Sequence, residues 1–377
     1  MPAVAKPAGA ADKARVRAEA LRLQAHFLAA GAVEVEADVL QPAELLLDLY
    51  GEDIRARAYV STDPLRGELM LRPDFTVPVV QMHMAGGADP ARYTYLGEVF
   101  RKQEHRGARA SEYLQLGYEV FDRADPTGAD AEVFALFAGL LGPLGLRAAT
   151  GDIGILMAAV RGLATSERRR AALLRHIWRP KRFRALLDRF GGRLPVPRAR
   201  LKMLDAFRAG ALAEVIAAAG MPIGQRSEAE IADRAAALLE DAASPVIVPG
   251  DVALLDDILG LRQKSPVALD RLHDLAVDMP AIAAAVDRME ARLEALARRG
   301  IDVAGLDFEA SYGRTTLEYY DGFVFGFYAE ARPDLPAVAS GGRYDALTAR
   351  LGRGRSIPAV GGVIRPGLVL ALQEARG

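Results

Sequence analysis

The most informative segment of the chain is YLGEVFRKQEHRGARASEYLQLGYEVF, residues 95–121. It predicts two strands joined by a basic loop. In the second strand, residues 112–121, side chains alternate between the two faces of a sheet. Gln115 and Glu119 therefore share one face, and Gly117 leaves a gap between them. An amide and a carboxylate on either side of a gap can bind a small polar ligand. The alternative is a half-exposed antiparallel strand with a solvated polar face.

Two arginines lie at the start of and within the loop of this hairpin. Arg101 ends the first strand, and Arg109 lies eight residues later in the loop. Strand, arginine, basic loop and strand resemble motif 2 of the class II aminoacyl-tRNA synthetases. In that family the first arginine contacts the ATP α-phosphate and the loop covers the adenine. The resemblance leaves two interpretations open: Arg101 and Arg109 bind an anion at a residual ATP site, or they are structural.

Three further segments resemble signatures of histidyl-tRNA synthetases. LRPDFTVPV (residues 71–79) is similar to LRPEGTA, TTLEYYDGFVF (315–325) to RGLDYYTGTVF, and SGGRYDALTARLG (340–352) to GGRYDGL. Four signatures in the right order identify the chain as a member of the histidyl-tRNA synthetase superfamily over about residues 12–165 and 300–377. The resemblance implies an α+β fold, in which a class II synthetase-like antiparallel sheet is flanked by helices.

The composition changes between these two parts. Residues 166–299 contain few aromatic residues and read as alanine-rich helices. We therefore predict a class II synthetase-like domain from residues 1–165 and 300–377, with a helical insertion domain at 166–299.

Several local patterns predict individual elements. Residues 55–80 alternate as strands around a turn at 64–67, and Ser227 begins a capping box before a helix. A glycine-rich turn is expected at Gly341 and Gly342. Together with the loop from residue 103 to 110, that turn is expected to move when a ligand binds.

The N-terminal segment resembles motif 1 of the class II synthetases, with a helix over residues 12–30, a strand and Pro42. In that family motif 1 forms the dimer interface, so the resemblance implies a homodimeric core. Leu21, Leu23 and Phe27 spread around the helix, so some of them should meet the other subunit or the sheet.

Composition excludes several classes of site. There is no cysteine, which excludes disulfides and thiolate metal sites. The five histidines show no metal-ligand spacing, so we expect no metal ion and no cofactor. The N-terminus lacks a signal-peptide pattern and no apolar run reaches about 20 residues, so we expect a cytoplasmic protein without a membrane span.

One segment is strongly basic although the net charge is only −1. Nine lysines and arginines lie between residues 168 and 189, with Trp178 and Phe183 among them and Phe190 directly after. Three interpretations remain: a solvated helix face with its aromatic residues turned inward, a docking surface for a protein partner, or a nucleic-acid site.

The superfamily resemblance assigns six residues to a histidine pocket. It implies that Asp74, Thr76 and Gln115 hold the α-amino group and that Glu119 binds the imidazole. Tyr320 and Tyr344 would line the ring pocket, although core packing is the alternative for these two tyrosines. Each role suits its side chain, because ammonium and imidazole N–H groups need acceptors and aromatic walls exclude water. Asp74 stands where the family has glutamate, which shortens its reach by one methylene.

The ATP half of the synthetase site is not preserved. The arginine of RGLDYY aligns with Thr315, and Arg314 lies one residue earlier, which in a strand means the opposite face. Motif 3 should end in Gly-Leu-Glu-Arg, but Gly367 and Leu368 stand there, and Arg365 comes three residues early. Only a short segment follows, so we expect the anticodon-binding domain to be absent.

A histidine site without ATP and tRNA sites resembles the family of ATP phosphoribosyltransferase regulatory subunits, which are paralogues of histidyl-tRNA synthetases. The resemblance implies a short-form catalytic subunit as partner, a role in the first step of histidine biosynthesis, and L-histidine as feedback regulator. It implies no aminoacylation activity and no tRNA binding. The alternatives are a truncated synthetase-like enzyme that forms an aminoacyl-adenylate, and a tRNA-binding module that uses residues 168–189.

Overall fold

The computed structural model describes residues 10–50, 54–103, 110–218, 227–314 and 319–376. The strands of this part of the chain are β1 (Val33–Glu34), β2 (Leu40–Pro42), β3 (Val60–Asp63), β4 (Gly67–Leu71), β5 (Ala91–Phe100), β6 (Glu112–Phe121), β7 (Arg147–Asp152), β8 (Arg262–Lys264), β9 (Asp307–Glu309), β10 (Phe323–Tyr328), β11 (Ala339–Arg343) and β12 (Ala359–Ile364).

The helices are α1 (Ala10–Ala29), α2 (Ala43–Tyr50), α3 (Ile54–Arg57), α4 (Thr76–Gly86), α5 (Pro126–Leu141), α6 (Ile153–Gly162), α7 (Glu167–Arg175), α8 (Pro180–Phe190), α9 (Arg198–Arg208), α10 (Leu212–Ala218), α11 (Glu228–Ala243), α12 (Pro249–Gly260), α13 (Ser265–Asp278), α14 (Ala283–Arg298), α15 (Asp345–Leu351) and α16 (Pro366–Glu374). Short 3₁₀ turns span Gly142–Leu144 and Pro280–Ile282.

A nine-stranded sheet organises the molecule, with the order β1-β5-β6-β12-β11-β10-β7-β9-β8. Its central strands, from β5 to β7 in that order, are all antiparallel, and the pairs β1–β5 and β7–β9 are parallel. A small sheet, β2-β4-β3, lies beside it. The predicted α+β fold with a mainly antiparallel sheet and flanking helices is confirmed.

The decisive hairpin forms as predicted, because β5 and β6 are ten-residue strands paired along their whole length. Farther along the sheet, β10 alternates so that Phe323, Phe325 and Phe327 share one face. All three rings pack against Phe134 of α5, and Phe325 also packs against Phe137. This aromatic layer fixes α5 to one side of the sheet and leaves the other side for the candidate site.

Helix α1 ends where the sequence predicts. Gly31 follows it with φ of 90°, a left-handed conformation that glycine adopts without strain. Leu23 and Phe27 are fully buried, whereas Leu21 is 52% exposed. The three side chains therefore do spread around the helix.

Two local predictions are wrong. The hairpin over 60–71 forms, but within the predicted strand region 55–80, residues 55–57 belong to helix α3 and residues 76–80 to helix α4. In α4 the buried residues include Thr76, Val80 and His83, which have helical spacing. A short apolar run does not distinguish a buried helix from a strand by periodicity, which explains the error.

The expected turn at Gly341 and Gly342 does not exist either. Both residues lie inside β11 and pair with β10 on one side and β12 on the other. A Cβ atom on Gly341 would lie 2.3 Å from the carbonyl oxygen of Gly361. Glycine is therefore needed here for close strand contact rather than for a turn.

The segment 166–299 is largely helical, and the capping box at Ser227 is present. Part of the segment is tied to the main sheet, since β8 pairs with β9. In addition, Arg292 of α14 forms ion pairs with Asp130 at 3.5 Å and with Asp152 at 2.8 Å. The division into two domains stays a prediction.

One stretch of the described residues, Pro126–Leu144, is long and apolar enough to cross a membrane by length and composition alone. It contains Asp130, which is 2% exposed and pairs with Arg292 and Arg343. Its aromatic residues pack against the sheet. These contacts make it a core helix of this fold.

Candidate functional site

The polar face of β6 is buried. Gln115 and Glu119 are each 1% exposed, so the alternative of a solvated polar face is wrong. The gap expected at Gly117 is occupied by Tyr95, which lies directly opposite on β5. A Cβ atom on Gly117 would lie 2.0 Å from the Tyr95 ring. Sequence reasoning missed Tyr95, and only the pairing register of the hairpin could have revealed it.

Glu119 is the centre of a hydroxyl cluster. Its Oε1 accepts hydrogen bonds from Thr76 Oγ1 at 3.0 Å and from Tyr95 Oη at 2.8 Å. Its Oε2 accepts one from Tyr344 Oη at 2.5 Å. A Cβ atom on Gly361, the residue opposite on β12, would lie 1.5 Å from Oε2. Three hydroxyl groups therefore donate to the carboxylate, and it packs against the backbone of β12 at Gly361, which has no side chain.

Burial raises the pKa of Glu119 to about 7, against the opposing effect of the three hydroxyl donors, and the charge of Asp74 raises it further. Burial also raises the pKa values of Tyr95 and Tyr344 well above that of a free tyrosine, so both hydroxyls remain donors. A carboxylate has about four acceptor positions, of which three are used. One acceptor position is therefore left for a ligand N–H group.

Gln115 has no such partners among the described residues. Its Nε2 and Oε1 are both buried, and neither finds a hydrogen-bond partner within the described residues. An orphaned buried amide costs roughly 1–3 kcal/mol per group, so most buried polar atoms are paired. This unpaired amide, on the same strand face as Glu119, indicates a place for a polar ligand.

The structure brings the six predicted residues together. Thr76 and Tyr344 bond Glu119 directly, and Gln115 lies on the same strand face. Asp74 and Tyr320 are buried within electrostatic range of Glu119. Burial raises the pKa of Tyr320, and the charges of Glu119 and Asp74 raise it further. Asp74 Oδ1 also accepts from the amide of Val77 at 3.4 Å, near the start of α4.

The structure places the arginines singled out in the sequence in different environments. Arg101 follows β5, and its Nε donates to the carbonyl of Pro73 at 2.7 Å. Arg109 and Thr315 lie outside the described residues. Arg314 is buried, and its Nε donates to the carbonyl of Ile177 at 2.7 Å, so its guanidinium is engaged with the helical segment. Burial lowers the pKa of Arg314 to about 10.

The basic segment 168–189 packs its aromatic residues inward, since Phe183 and Phe190 are buried. Not all of its arginines are solvated, because Arg169 is also buried and pairs with Asp241 at 2.7 Å. Trp178 lies between α7 and α8, and its Nε1 donates to the carbonyl of Tyr320 at 3.1 Å. The segment therefore contacts the backbone of a pocket residue.

A separate cavity of about 500 Å³ lies near the β9 end of the sheet, with Arg147, Lys264 and Asp307 in its wall. It includes none of the six predicted residues. Its two basic residues are already engaged, because Arg147 and Lys264 both form ion pairs with Asp307. No cluster suited to a metal ion occurs in the described part of the chain.

Comparison with known proteins identifies the family. Residues 5–248 and 231–366 match the family model described as Histidyl-tRNA synthetase. The ATP phosphoribosyltransferase regulatory subunit of Brucella anthropi is 33% identical over 341 residues, which cover 87% of this chain and 89% of that protein. The protein of the same name from Brucella ovis is 32% identical with the same coverage. The chain belongs to the family of ATP phosphoribosyltransferase regulatory subunits.

Solved structures agree with this membership at the level of the fold. A Bacillus halodurans protein described as an ATP phosphoribosyltransferase regulatory subunit/histidyl-tRNA synthetase superposes with a TM-score of 0.67 at 19% identity, over 99% of this chain and 82% of that one. The histidyl-tRNA synthetase of Nostoc superposes with a TM-score of 0.62 at 18% identity, over 97% and 73% of the two chains. The synthetase-like fold of this regulatory-subunit family is thus present here.

Proposed function

We propose that the chain is the non-catalytic regulatory subunit of a cytoplasmic ATP phosphoribosyltransferase in histidine biosynthesis, and that it binds L-histidine for feedback regulation. Its partner would be a short-form catalytic subunit. The observation that supports a ligand at this site is the buried amide of Gln115, which has no hydrogen-bond partner among the described residues and lies on the same strand face as Glu119.

The pocket suits a free amino acid with an imidazole side chain. The remaining acceptor position of Glu119 would take a ring N–H, while Tyr320 and Tyr344 enclose the ring. Gln115 and Asp74 would receive the ammonium group, which requires oxygen acceptors. Ligand binding would remove the cost of the orphaned Gln115 amide.

Adenylation of the bound amino acid is not part of the proposal. Leu368, in the first turn of α16, stands where the synthetase pattern has an arginine. Arg314 is held by Ile177 and by the face of Phe183, with 4.9 Å between its guanidinium carbon and the ring centroid. Loss of one charge-stabilising group costs on the order of 10²–10³ in rate, so we expect no significant aminoacyl-adenylate formation. Histidine-dependent exchange of pyrophosphate into ATP would favour the alternative enzyme.

We further propose a homodimeric core inside the hetero-oligomer. Leu21 and Leu28 of α1 and Val33 of β1 are exposed apolar residues at the β1 edge of the sheet. Isologous two-fold contacts are the commonest way to bury such a surface. Analytical ultracentrifugation of the isolated chain at micromolar concentration tests this, and a monomeric mass would exclude it.

The decisive experiment combines binding with regulation. The chain is co-purified with a short-form phosphoribosyltransferase, and activity is measured with and without L-histidine. Glu119→Gln should leave assembly intact and make the complex less sensitive to histidine, because feedback is a coupling free energy of typically 1–3 kcal/mol between two sites. Glu112→Gln, on the exposed end of the same strand, is the matched control. Full histidine inhibition in the Glu119→Gln complex would show that this pocket is not the sensor.

A further inference from the structure

Strand register places an additional arginine on the pocket face. In the pairing of β12 with β6, Gly361 lies opposite Glu119 and Val363 opposite Gly117. Arg365 follows two residues later with an extended backbone, φ −103° and ψ 93°. Because opposite residues of antiparallel strands share a face, this register puts Arg365 across from Gln115.

Side-chain contacts agree with the register. The guanidinium carbon of Arg365 lies 5.9 Å from the ring centroid of Tyr113, the residue two positions before Gln115 on the same face of β6. The Nη1 atom of Arg365 donates to the carbonyl of Ala337. Arg365 therefore lies at the Gln115 end of the pocket face, while Tyr344 closes the Glu119 end.

Arg365 has no anionic partner in the part of the chain that the structure describes. No carboxylate of the described residues forms an ion pair with it, and its contacts are the carbonyl of Ala337 and Tyr113. Burial lowers its pKa, and the positive charge of Arg101 lowers it further. Arg101 belongs to the same end of the face, because its amide bonds the carbonyl of Ser111 at 2.8 Å, one step beyond the β5–β6 pairs. A partly buried cation without a counter-ion favours an anionic ligand.

We propose that Arg365 binds the α-carboxylate of the amino acid whose side chain is held by Glu119. The inference rests on the proposed function of the pocket. Continuing the β12–β6 register puts Gln115, whose amide has no partner among the described residues, and Arg365 on the same face of adjacent strands, and a carboxylate there would accept from Gln115 Nε2 and from the guanidinium. Gln115 and Glu119 are four residues apart on one strand face, or about 13 Å between Cα atoms, and the Tyr95 ring lies opposite Gly117 between them.

Arg365 is then a specificity-determining residue. It makes the pocket select the free amino acid over analogues that keep the imidazole and the amine but lack the carboxylate. L-histidinol and histamine are such analogues. A charge-assisted hydrogen bond of the usual strength corresponds to about a 10- to 100-fold difference in affinity.

The test is calorimetric titration of the full chain with L-histidine, L-histidinol and histamine. Wild type should prefer L-histidine by about 10- to 100-fold. Arg365→Met should lower histidine affinity by that factor and leave histidinol affinity within about twofold, so the preference disappears. Arg365→Lys should keep part of the preference, because an ammonium group is a cation without the bidentate geometry. Arg298→Met, an exposed substitution on α14, is the control.

Three results overturn the inference while leaving the proposed pocket in place. Wild type binds histidinol as tightly as histidine, Arg365→Met binds histidine like wild type, or Arg365→Met weakens all three ligands equally. The wild-type comparison holds even when Arg365→Met fails to fold. Absence of any histidine binding by wild type would instead remove the proposed function itself.

Discussion

The indole Nε1 of Trp178 donates a 3.1 Å hydrogen bond to the backbone carbonyl of Tyr320. A second bond, from Arg314 Nε to the carbonyl of Ile177, joins the same two segments in the opposite direction. The turn between α7 and α8 therefore contacts both sides of the segment that carries the pocket tyrosine. A ligand that moves the backbone at Tyr320 would therefore strain or shift this turn.

Trp178→Phe tests that connection. The substitution keeps an aromatic ring and removes only the N–H donor, so the carbonyl of Tyr320 loses its partner. We expect a loss of about 1 kcal/mol in the free energy of unfolding and a several-fold weaker affinity for histidine. Urea denaturation and calorimetry measure the two effects. Unchanged histidine affinity alongside lower stability would show that the bond is structural only.

Two glycine substitutions should have opposite effects on stability. Gly117→Ala places a methyl group 2.0 Å from the Tyr95 ring, and overpacking of this kind costs typically 1–3 kcal/mol. Gly139→Ala, in the middle of α5, meets no atom within 4 Å and should stabilise by about 0.5–1 kcal/mol through helix propensity. Thermal unfolding compares them. Equal destabilisation by both would contradict the packing described around Gly117.

Stability should depend on the protonation of Glu119. Its pKa rises from 4.5 to about 7 on folding because the carboxyl group is buried. The folded state then holds a proton that the unfolded state has released, so the contribution is full below pH 4.5 and is lost as pH rises through 7. Glu119→Gln removes this titration. When the pH is raised from 5 to 8, the free energy of unfolding should fall by roughly 1–3 kcal/mol less in the variant than in wild type.

Urea denaturation across this pH range measures the difference. Burial also raises the pKa of Asp321 to about 7, so part of the slope should persist in Glu119→Gln and disappear in the double variant with Asp321→Asn. Identical slopes for wild type and Glu119→Gln would mean that the Glu119 carboxyl group is not protonated in the folded protein near neutral pH.

Histidine binding should change the number of bound protons with a sign that depends on pH. The free imidazole has a pKa of about 6.5 and Glu119 of about 7, and we expect the complex to share one proton between them. Binding should release protons at pH 6 and take them up at pH 8, with no net change between the two pKa values. Calorimetry in buffers of different ionisation enthalpy measures this, and Glu119→Gln should lose proton uptake at pH 8.

The ion pairs of Arg292 should be costly to remove. This guanidinium contacts Asp130 and Asp152 in the interior, and it lies 4.4 Å from the Phe323 ring centroid. Arg292→Met keeps most of the volume but leaves Asp152 without this partner. Breaking a buried pair from one side typically costs 3–5 kcal/mol. A loss below about 1 kcal/mol in chemical denaturation would show that water reaches these carboxylates.

The strand face of Gln115 and Glu119 was predictable because strand periodicity depends on sequence alone. The role of Tyr95 was not, because it depends on which β5 residue pairs with Gly117, and that register follows from the whole hairpin. In the sequence Arg365 is only a departure from the motif 3 pattern, because the face on which it lies depends on the pairing of β12 with β6. Contacts between distant segments, such as that of Trp178 with Tyr320, leave no periodic signal in the sequence.

Gly361 limits how this pocket can change during evolution. Any side chain at that position would collide with the Glu119 carboxylate, at 1.5 Å for the first carbon atom alone. Alanine at this position would require Glu119 to move, to be shortened or to be lost, and with it the acceptor that we propose for the imidazole. We therefore expect a chain of this family with a larger residue at this position to lack the Glu119 acceptor and to bind a different ligand.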